Sequence, residues 1–384
     1  MRTVGPAALA VALAAITAYG CKGHRSAPEA HNGGPVSKQQ RDAALAAARV
    51  WHAPSVPPSK ADLGHNARGP GAFLETDEVD CHFTLTKARG TSPKFYCALS
   101  DGTTLKVKYG ATNPELPAEV AATRLLEALG YPVDRMFIVR NVRCFGCPPF
   151  PYQAMECMDR IGAENACLQG ADARRAVSFP GAVVERQMAG RKIETSADEG
   201  WAWYELDRIN PAAGGSSRAE VDALRLMAVL LAHWDNKAEN QRLLCAAGSD
   251  REDGSCGHPI AMIQDLGATF GPLKLELQNW RRVPMWTDVA ACRVSLKALP
   301  FDGGTFGEHL ISEEGRQFAL RLLRQLGADQ LRALFAGAGV TQFNHVLTAA
   351  HDPAAWVEAF MAKIDAIERA GPCLPAARLS TRGE

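Results

Sequence analysis

The chain has 384 residues, 47% of them hydrophobic, which is enough for one large two-lobed domain or two smaller ones and excludes a disordered or fibrous protein. Forty-two basic residues offset forty-two acidic ones, so no global field draws the chain to nucleic acid or anionic lipid, and nucleic acid is not expected as a partner.

The first twenty residues carry Arg2, an apolar small-residue stretch from Val4 to Ile16, and Ala18-Tyr19-Gly20 ahead of Cys21. This is the pattern of a cleaved export signal (1–20), with an apolar run short for spanning a bilayer. Two endings fit. Ala18 and Gly20 are small enough for an ordinary signal peptidase, while Gly20-Cys21 resembles the lipobox of bacterial lipoproteins, which implies lipidation of Cys21 and a lipid anchor as the one membrane contact. The second is preferred, and both place the mature protein outside the cytoplasm, at the cell envelope or in a periplasmic or extracellular space. Of the eleven cysteines, ten remain when Cys21 is set aside, an even number that suits up to five disulfides in an oxidising compartment. Their connectivity is not readable from spacing.

Residues 21–71 read as a flexible tether with one short Ala-rich helical stretch, Arg41 to Trp51, because the flanking Gly, Pro, Ser and His cannot bury much apolar surface. An ordered domain is expected from Ala72. Strand-like alternation follows at Cys81–Thr86, Phe95–Leu99 and Leu105–Tyr109, with Asp101-Gly102 as a hairpin turn between the last two. Arg89 to Lys94 is a small-residue loop whose amides at Gly90 are open to an anion, although a plain surface turn has the same composition. The spacing of Ala118, Ala121, Ala122, Leu125 and Leu129 predicts a helix over Glu115–Leu129, stopped by Gly130 and flanked by Glu119. Further strands are expected at Met136–Val142 and Ala182–Gln187, enclosing a Cys-rich insertion. Its Cys144-Phe145-Gly146-Cys147 fits a redox pair, half a zinc site or a structural bridge, and export favours the bridge.

After Gln187 the chain turns mainly helical. Ser217 and Glu220 have capping-box spacing, and Leu224, Met227, Ala228 and Leu231 form a stripe that ends before His233. Helical stretches at Glu313–Ala336 and about Ala354–Ala370 close the chain, so strands first and helices later indicate an α+β protein. Between these lies the densest chemistry in the sequence: His233-Trp234-Asp235-Asn236-Lys237-Ala238-Glu239-Asn240, followed by Asp265-Leu266-Gly267. Phosphoryl transfer needs such groups, one carboxylate to orient a hydroxyl and a carboxylate with an amide to hold a metal that screens phosphates.

These residues resemble the protein kinase superfamily, whose catalytic loop reads H-x-D-x-K-x-x-N and whose metal-binding turn reads D-F-G or D-L-G. Lys108-Tyr109, then Ala118-Glu119-Val120-Ala121-Ala122, then Leu129-Gly130-Tyr131, look closer to the atypical branches: HipA-type, phosphoinositide lipid and secretory-pathway kinases. The resemblance implies a bilobal kinase-like fold, with a mostly antiparallel N-lobe carrying one key helix (72–187), a helical C-lobe (188–373) and a tail (374–384). It implies Asp235 as catalytic base, Lys237 at the transferring phosphate, Asn240 and Asp265 as metal ligands, and Lys108 gripping nucleotide phosphates with Glu119 as its ion-pair partner. His233 is then structural. Lys106 competes with Lys108, because period-two geometry sends both to one face, and Glu115 competes less strongly with Glu119.

No G-x-G-x-x-G precedes the lysine strand, so Gly90 to Lys94 is expected to cover the phosphates by another geometry. No A-P-E-like segment follows Gly267, which gives no support to an extended peptide substrate. Cys245 and Cys256 flank the polar loop between Asn240 and Asp265 and are expected to bridge across it. The functional expectation is an ATP- and Mg²⁺- or Mn²⁺-dependent phosphotransferase acting on a protein, lipid or small-molecule hydroxyl. The alternatives are a kinase-fold binding or scaffold protein without catalysis at the cell envelope, and a zinc or thiol-redox protein built on Cys144 and Cys147.

Overall fold

A computed structural model describes residues 34–86, 88–272, 274–300, 303–340 and 352–379. The export signal and Cys21 lie outside the described residues. In chain order the elements are α1 (Lys38–Ala46), β1 (Glu78–Phe83), β2 (Lys94–Ala98), β3 (Thr104–Lys108), α2 (Glu115–Ala128), β4 (Arg135–Ile138), β5 (Asn141–Phe145), α3 (Pro151–Ile161), α4 (Glu164–Cys167), β6 (Ala176–Pro180), β7 (Val183–Arg186) and β8 (Gly190–Lys192). They continue with α5 (Arg218–Leu231), β9 (Gln241–Ala246), β10 (Pro259–Ile263), α6 (Leu277–Arg282), β11 (Arg293–Ser295), β12 (Glu308–Leu310), α7 (Glu313–Leu323), α8 (Ala328–Gly337), α9 (Pro353–Arg369) and α10 (Ala376–Leu379).

Seven strands form one sheet in the order β4-β7-β3-β2-β1-β5-β6, with β1 and β5 parallel and every other neighbouring pair antiparallel. Alternation gives this sheet two unlike faces. Phe95, Cys97, Leu105, Val107 and Val184 point into an apolar cluster with Val142 and Phe179. The opposite parity carries Lys106, Lys108 and Glu185, and α2 supplies the carboxylate that meets Lys108 there. Helix α2 is buried along twelve consecutive residues from Glu115 to Leu126, which its Ala-rich sequence permits by offering little bulk on any side. The rest of the core is helical, built on α5, α7 and α9 with Trp280 stacked on Trp356. This is the two-lobed α+β arrangement expected from the sequence, with the sheet and one long helix first and the helices last.

Three elements differ from expectation. The stretch Met136–Val142 is two strands, not one, because the chain leaves the β4 edge and crosses to β1, where Asn141 to Phe145 pair in register with Glu78 to His82. The helical stretch Glu313–Ala336 breaks at 324–327, where Gln330 caps the backbone of Gly327 and opens α8. Most important, residues 38–66 are no loose tether. Ser37 and Gln40 form a capping box on α1, and Leu45, Ala48, Val50 and Leu63 are buried in the main core. Arg41 donates to both oxygens of Glu205, Trp51 Nε1 donates to Leu129 O at 2.8 Å, and Arg124 Nη1 donates to Gly64 O at 3.0 Å. Gly130 adopts φ +88°, and a Cβ there would lie 2.1 Å from His52 O, so only glycine admits this segment against the end of α2.

Five disulfides close the described chain: Cys81–Cys97, Cys144–Cys147, Cys157–Cys167, Cys245–Cys256 and Cys292–Cys373. The expected bridge across the 246–259 loop is present, and Cys144 pairs with Cys147, leaving neither thiol free for zinc. Such a set fits an oxidising compartment. No described helix is long and apolar enough to cross a membrane.

Chain-entropy arithmetic ranks the bridges by the loop each closes. Cys292–Cys373 spans 81 residues and Cys144–Cys147 spans 3, which corresponds to about 4.5 against about 1.6 kcal/mol of denatured-state constraint. Urea unfolding of Cys292→Ser/Cys373→Ser is therefore expected to show the greater loss. A loss no larger than that of Cys144→Ser/Cys147→Ser would contradict the ranking.

Candidate active site

The inner face of the sheet gathers charge to an unusual degree. Lys108, at the end of β3, reaches Glu119 on α2 at 2.5 Å, and both side chains are wholly buried. Lys106 lies on the same face, as its parity requires, but pairs at 2.7 Å with Glu185 of β7, which stands directly opposite it in register. Glu185 also lies 3.9 Å from Lys108. Glu115 completes the group and is ion-paired with Lys274, on the segment after Gly267. The geometry thus separates the two sequence competitors: Lys108 meets the helix carboxylate, and Lys106 is held by a strand.

The 233–240 loop is set by its flanks. Ser217 and Glu220 cap α5, which ends at Ala232 in the left-handed region (φ 52°), a conformation that turns the chain sharply into His233. Strands β9 and β10 then return the chain to Asp265. Gln264 and Asp265 donate their amides to Asn240 O at 3.0 and 3.2 Å, which fixes Asn240 beside Asp265. Trp234 N donates to Ala268 O and Phe270 N to Leu231 O, so the 265–270 turn is bonded to the loop along its length. Asp235 and Lys237 face each other, with Nζ 3.4 Å from Oδ1, and both are about one-third exposed (34% and 32%). Asn240 Nδ2 donates to Asp235 O at 2.6 Å.

Electrostatics sharpen the picture. Burial works against charge on Asp265, yet Lys108, Lys106 and Lys94 outweigh it and hold the carboxyl well below the usual range. Burial likewise opposes charge on Lys108, but Asp265, Glu119 and Glu185 keep its ammonium well above the ordinary value. Desolvation pushes the Glu119 carboxyl up to about 7 against the pull of Lys108. His233 is completely buried, neither ring nitrogen has a partner, and desolvation lowers it to about 4. It therefore packs as a neutral ring near Trp203 rather than titrating near neutrality.

Several participants carry no motif. Asn236 is buried and holds the loop's shape: its Nδ2 donates to His233 O and Trp234 O, and its Oδ1 accepts from Thr305 N and Phe306 N, both at 2.8 Å. Glu185 and Lys94 join the charged face only through strand register, which is a long-range property. Gly90 adopts φ +93°, and its carbonyl accepts from Tyr152 Oη at 3.0 Å, so the Cys-rich insertion holds the 89–94 loop. Arg89 pairs with Glu199 at 2.7 Å.

No family model matches the chain, and no curated protein matches it. Among solved structures, the crystal structure of a Helicobacter pylori proinflammatory kinase, CtkA, aligns with 79% of this chain and 99% of its own, at a TM-score of 0.41 and 12% sequence identity. At that distance the chemistry has to be read from this chain's own residues.

The orphaned His233 yields a test of stability against pH. Between pH 6.5 and about 4 the unfolded chain takes up a proton that folded His233 refuses, so stability present above pH 6.5 is lost as pH falls through that window. His233→Phe keeps an aromatic ring and removes the titration. The fall in unfolding free energy from pH 7 to pH 4 is expected to shrink by about 3 kcal/mol in urea titrations. Identical pH slopes for the two proteins would show that this residue is not responsible.

Proposed function

We propose that the chain is a kinase-like phosphotransferase that uses ATP with Mg²⁺ or Mn²⁺ on a hydroxyl acceptor. The observation that carries this reading is the fully buried Lys108–Glu119 pair, enclosed with a deeply ionised Asp265. An ammonium so fixed, on a rigid strand, is suited to hold phosphate oxygens in one place. The residues also fit a divalent metal. Asp265 Oδ1 accepts from Gly267 N at 3.1 Å, which leaves its second oxygen for a cation, and Asn240 commits its amide nitrogen to Asp235 O, which leaves its oxygen. One carboxylate and one amide oxygen are the hard ligands Mg²⁺ takes while sharing phosphates and water. When bound, the metal supplies charge neutralisation at the phosphates.

The roles then divide along the loop. The acceptor hydroxyl oxygen attacks the γ-phosphorus, the bond to the bridging oxygen breaks, ADP leaves, and the hydroxyl proton passes to Asp235. The Asp235 side chain is about one-third exposed while Oδ1 is turned inward beside Lys237, so the other oxygen is the one open to that proton. Lys237, 3.4 Å from Asp235 and about one-third exposed, steadies the carboxylate and is the loop's cation for the transferring group. The acceptor is a protein, lipid or small-molecule hydroxyl. Export belongs to the same reading, with Cys21 acylated or lost with the signal.

Thermal melts with and without Mg²⁺ or Mn²⁺ and ATP test the binding half. A rise in Tm is expected for the wild type and should lose its metal-dependent part in Asp265→Asn; equal absence of a shift in both overturns the proposal. For turnover, Asp235→Asn should keep nucleotide binding while phosphoryl transfer, followed as ADP released with a mixed acceptor pool, falls by about 10²-fold or more. Nucleotide binding by the wild type without acceptor-dependent ADP release would instead favour a kinase-fold binding protein.

A further inference from the structure

Pairing off the charges of the enclosed face leaves two over. Lys106 is matched by Glu185, Lys108 by Glu119 and Glu115 by Lys274. Asp265 has no ion pair and Lys94 has neither ion pair nor hydrogen bond among the described residues, although Lys94 is only 3% exposed. Lys94 opens β2 directly opposite Lys108 in the antiparallel register, so the two side chains share the inner face. Its head sits under the 89–94 loop: a Cβ on Gly90 would meet Lys94 Nζ at 2.9 Å. Two residues earlier, Ser92 Oγ is a buried polar atom without a partner. Burial and the neighbouring Lys108 depress the Lys94 ammonium, while Asp265 and Glu115 oppose that fall.

We propose that Lys94 is a second cationic ligand for the terminal phosphates of a metal-complexed polyphosphate, so that a side chain does here what backbone amides do in a glycine-rich loop. This deepens, and rests on, the nucleotide reading above. An unpaired ammonium in a nearly closed space is unfavourable unless an anion arrives. The unmatched partner across the face is the carboxylate of Asp265, so the vacant charges are one positive and one negative. A polyphosphate carrying a divalent cation satisfies both at once, whereas a simple anion leaves Asp265 unmet and a bare cation leaves Lys94 unmet. Gly90 contributes twice, by allowing the turn and by making room for the ammonium. Tyr152, through Gly90 O, holds the loop over it.

The test is calorimetric titration of wild type, Lys94→Met and Lys94→Arg with MgATP, adenosine and magnesium tripolyphosphate, alongside ligand-free melts. Lys94→Met is expected to bind MgATP at least tenfold more weakly, to treat adenosine as the wild type does, and to melt no lower than the wild type because an unpaired buried charge is gone. Lys94→Arg should retain part of the affinity. Wild-type binding of MgATP matched within twofold by Lys94→Met overturns the inference and leaves the nucleotide reading intact. If the wild type binds no nucleotide, that reading falls, and tripolyphosphate decides for Lys94: binding that needs it preserves a polyphosphate site, and no binding removes both. Should Lys94→Met fail to fold, reductive methylation of the wild type gives the same decision. Protection of Lys94 by MgATP supports the assignment, and unchanged methylation under saturating MgATP refutes it.

Discussion

Everything at the centre of this molecule depends on keeping Lys108 charged while it is shut away from water. A lone ammonium in such a place would lose its proton or force the structure open. Asp265, Glu119 at 2.5 Å and Glu185 at 3.9 Å prevent that, and each is delivered by a different part of the chain. The sheet register brings Glu185, and α2 brings Glu119, so the charge pair is stable only when β3, β7 and α2 are all in place. Asp265 extends the same dependence to the other lobe, because its ionisation rests on the lysines of the sheet. Because the face is enclosed, removing one member would strand its partners without water to replace it. A second tier of the same kind lies beneath: Arg242 on β9 pairs with the buried Asp134 and donates to Gln264, next to Asp265.

How much of this could be read from the sequence follows from the range of each interaction. The 233–240 loop and the 265–267 turn are local patterns, and their flanking helix announces itself by a capping box, so their positions were legible. Lys108 and Lys106 were not separable, since period two gives both the same face and only the partners across the sheet tell them apart. Lys94 and Asn236 fall in segments that the sequence singles out, but their contacts, like those of Glu185, come through register or through a distant backbone at Thr305 and Phe306, which no local pattern marks. The N-terminal segment misled for a compositional reason. Its abundant Pro, Gly and His suggest a solvated tether, yet a few residues, Leu45, Val50 and Leu63, bury fully or nearly so and fix its course.

The loop over Lys94 is held by anchoring rather than by a glycine-rich sequence. A glycine-rich loop positions amides through its own flexibility. Here the 89–94 segment is short, is held from one side by Tyr152 and is paired from the other through Arg89 and Glu199. Tyr152 begins α3, which is itself cross-linked to α4 by Cys157–Cys167. The Cys-rich insertion therefore holds this loop from outside the sheet, through the Tyr152 hydrogen bond to Gly90.

The N-terminal segment has a mechanical consequence. It bonds to the carbonyl of Leu129 and accepts from Arg124 within the helix, while α1 is tied to Glu205 in the other lobe. It works as a splint laid across α2 and the body behind it. A helix splinted in this way has no hinge of its own, and swinging Glu119 away from Lys108 would mean peeling off residues 38–66 first. Tilting α2 would therefore cost those hydrogen bonds as well as the ion pair itself.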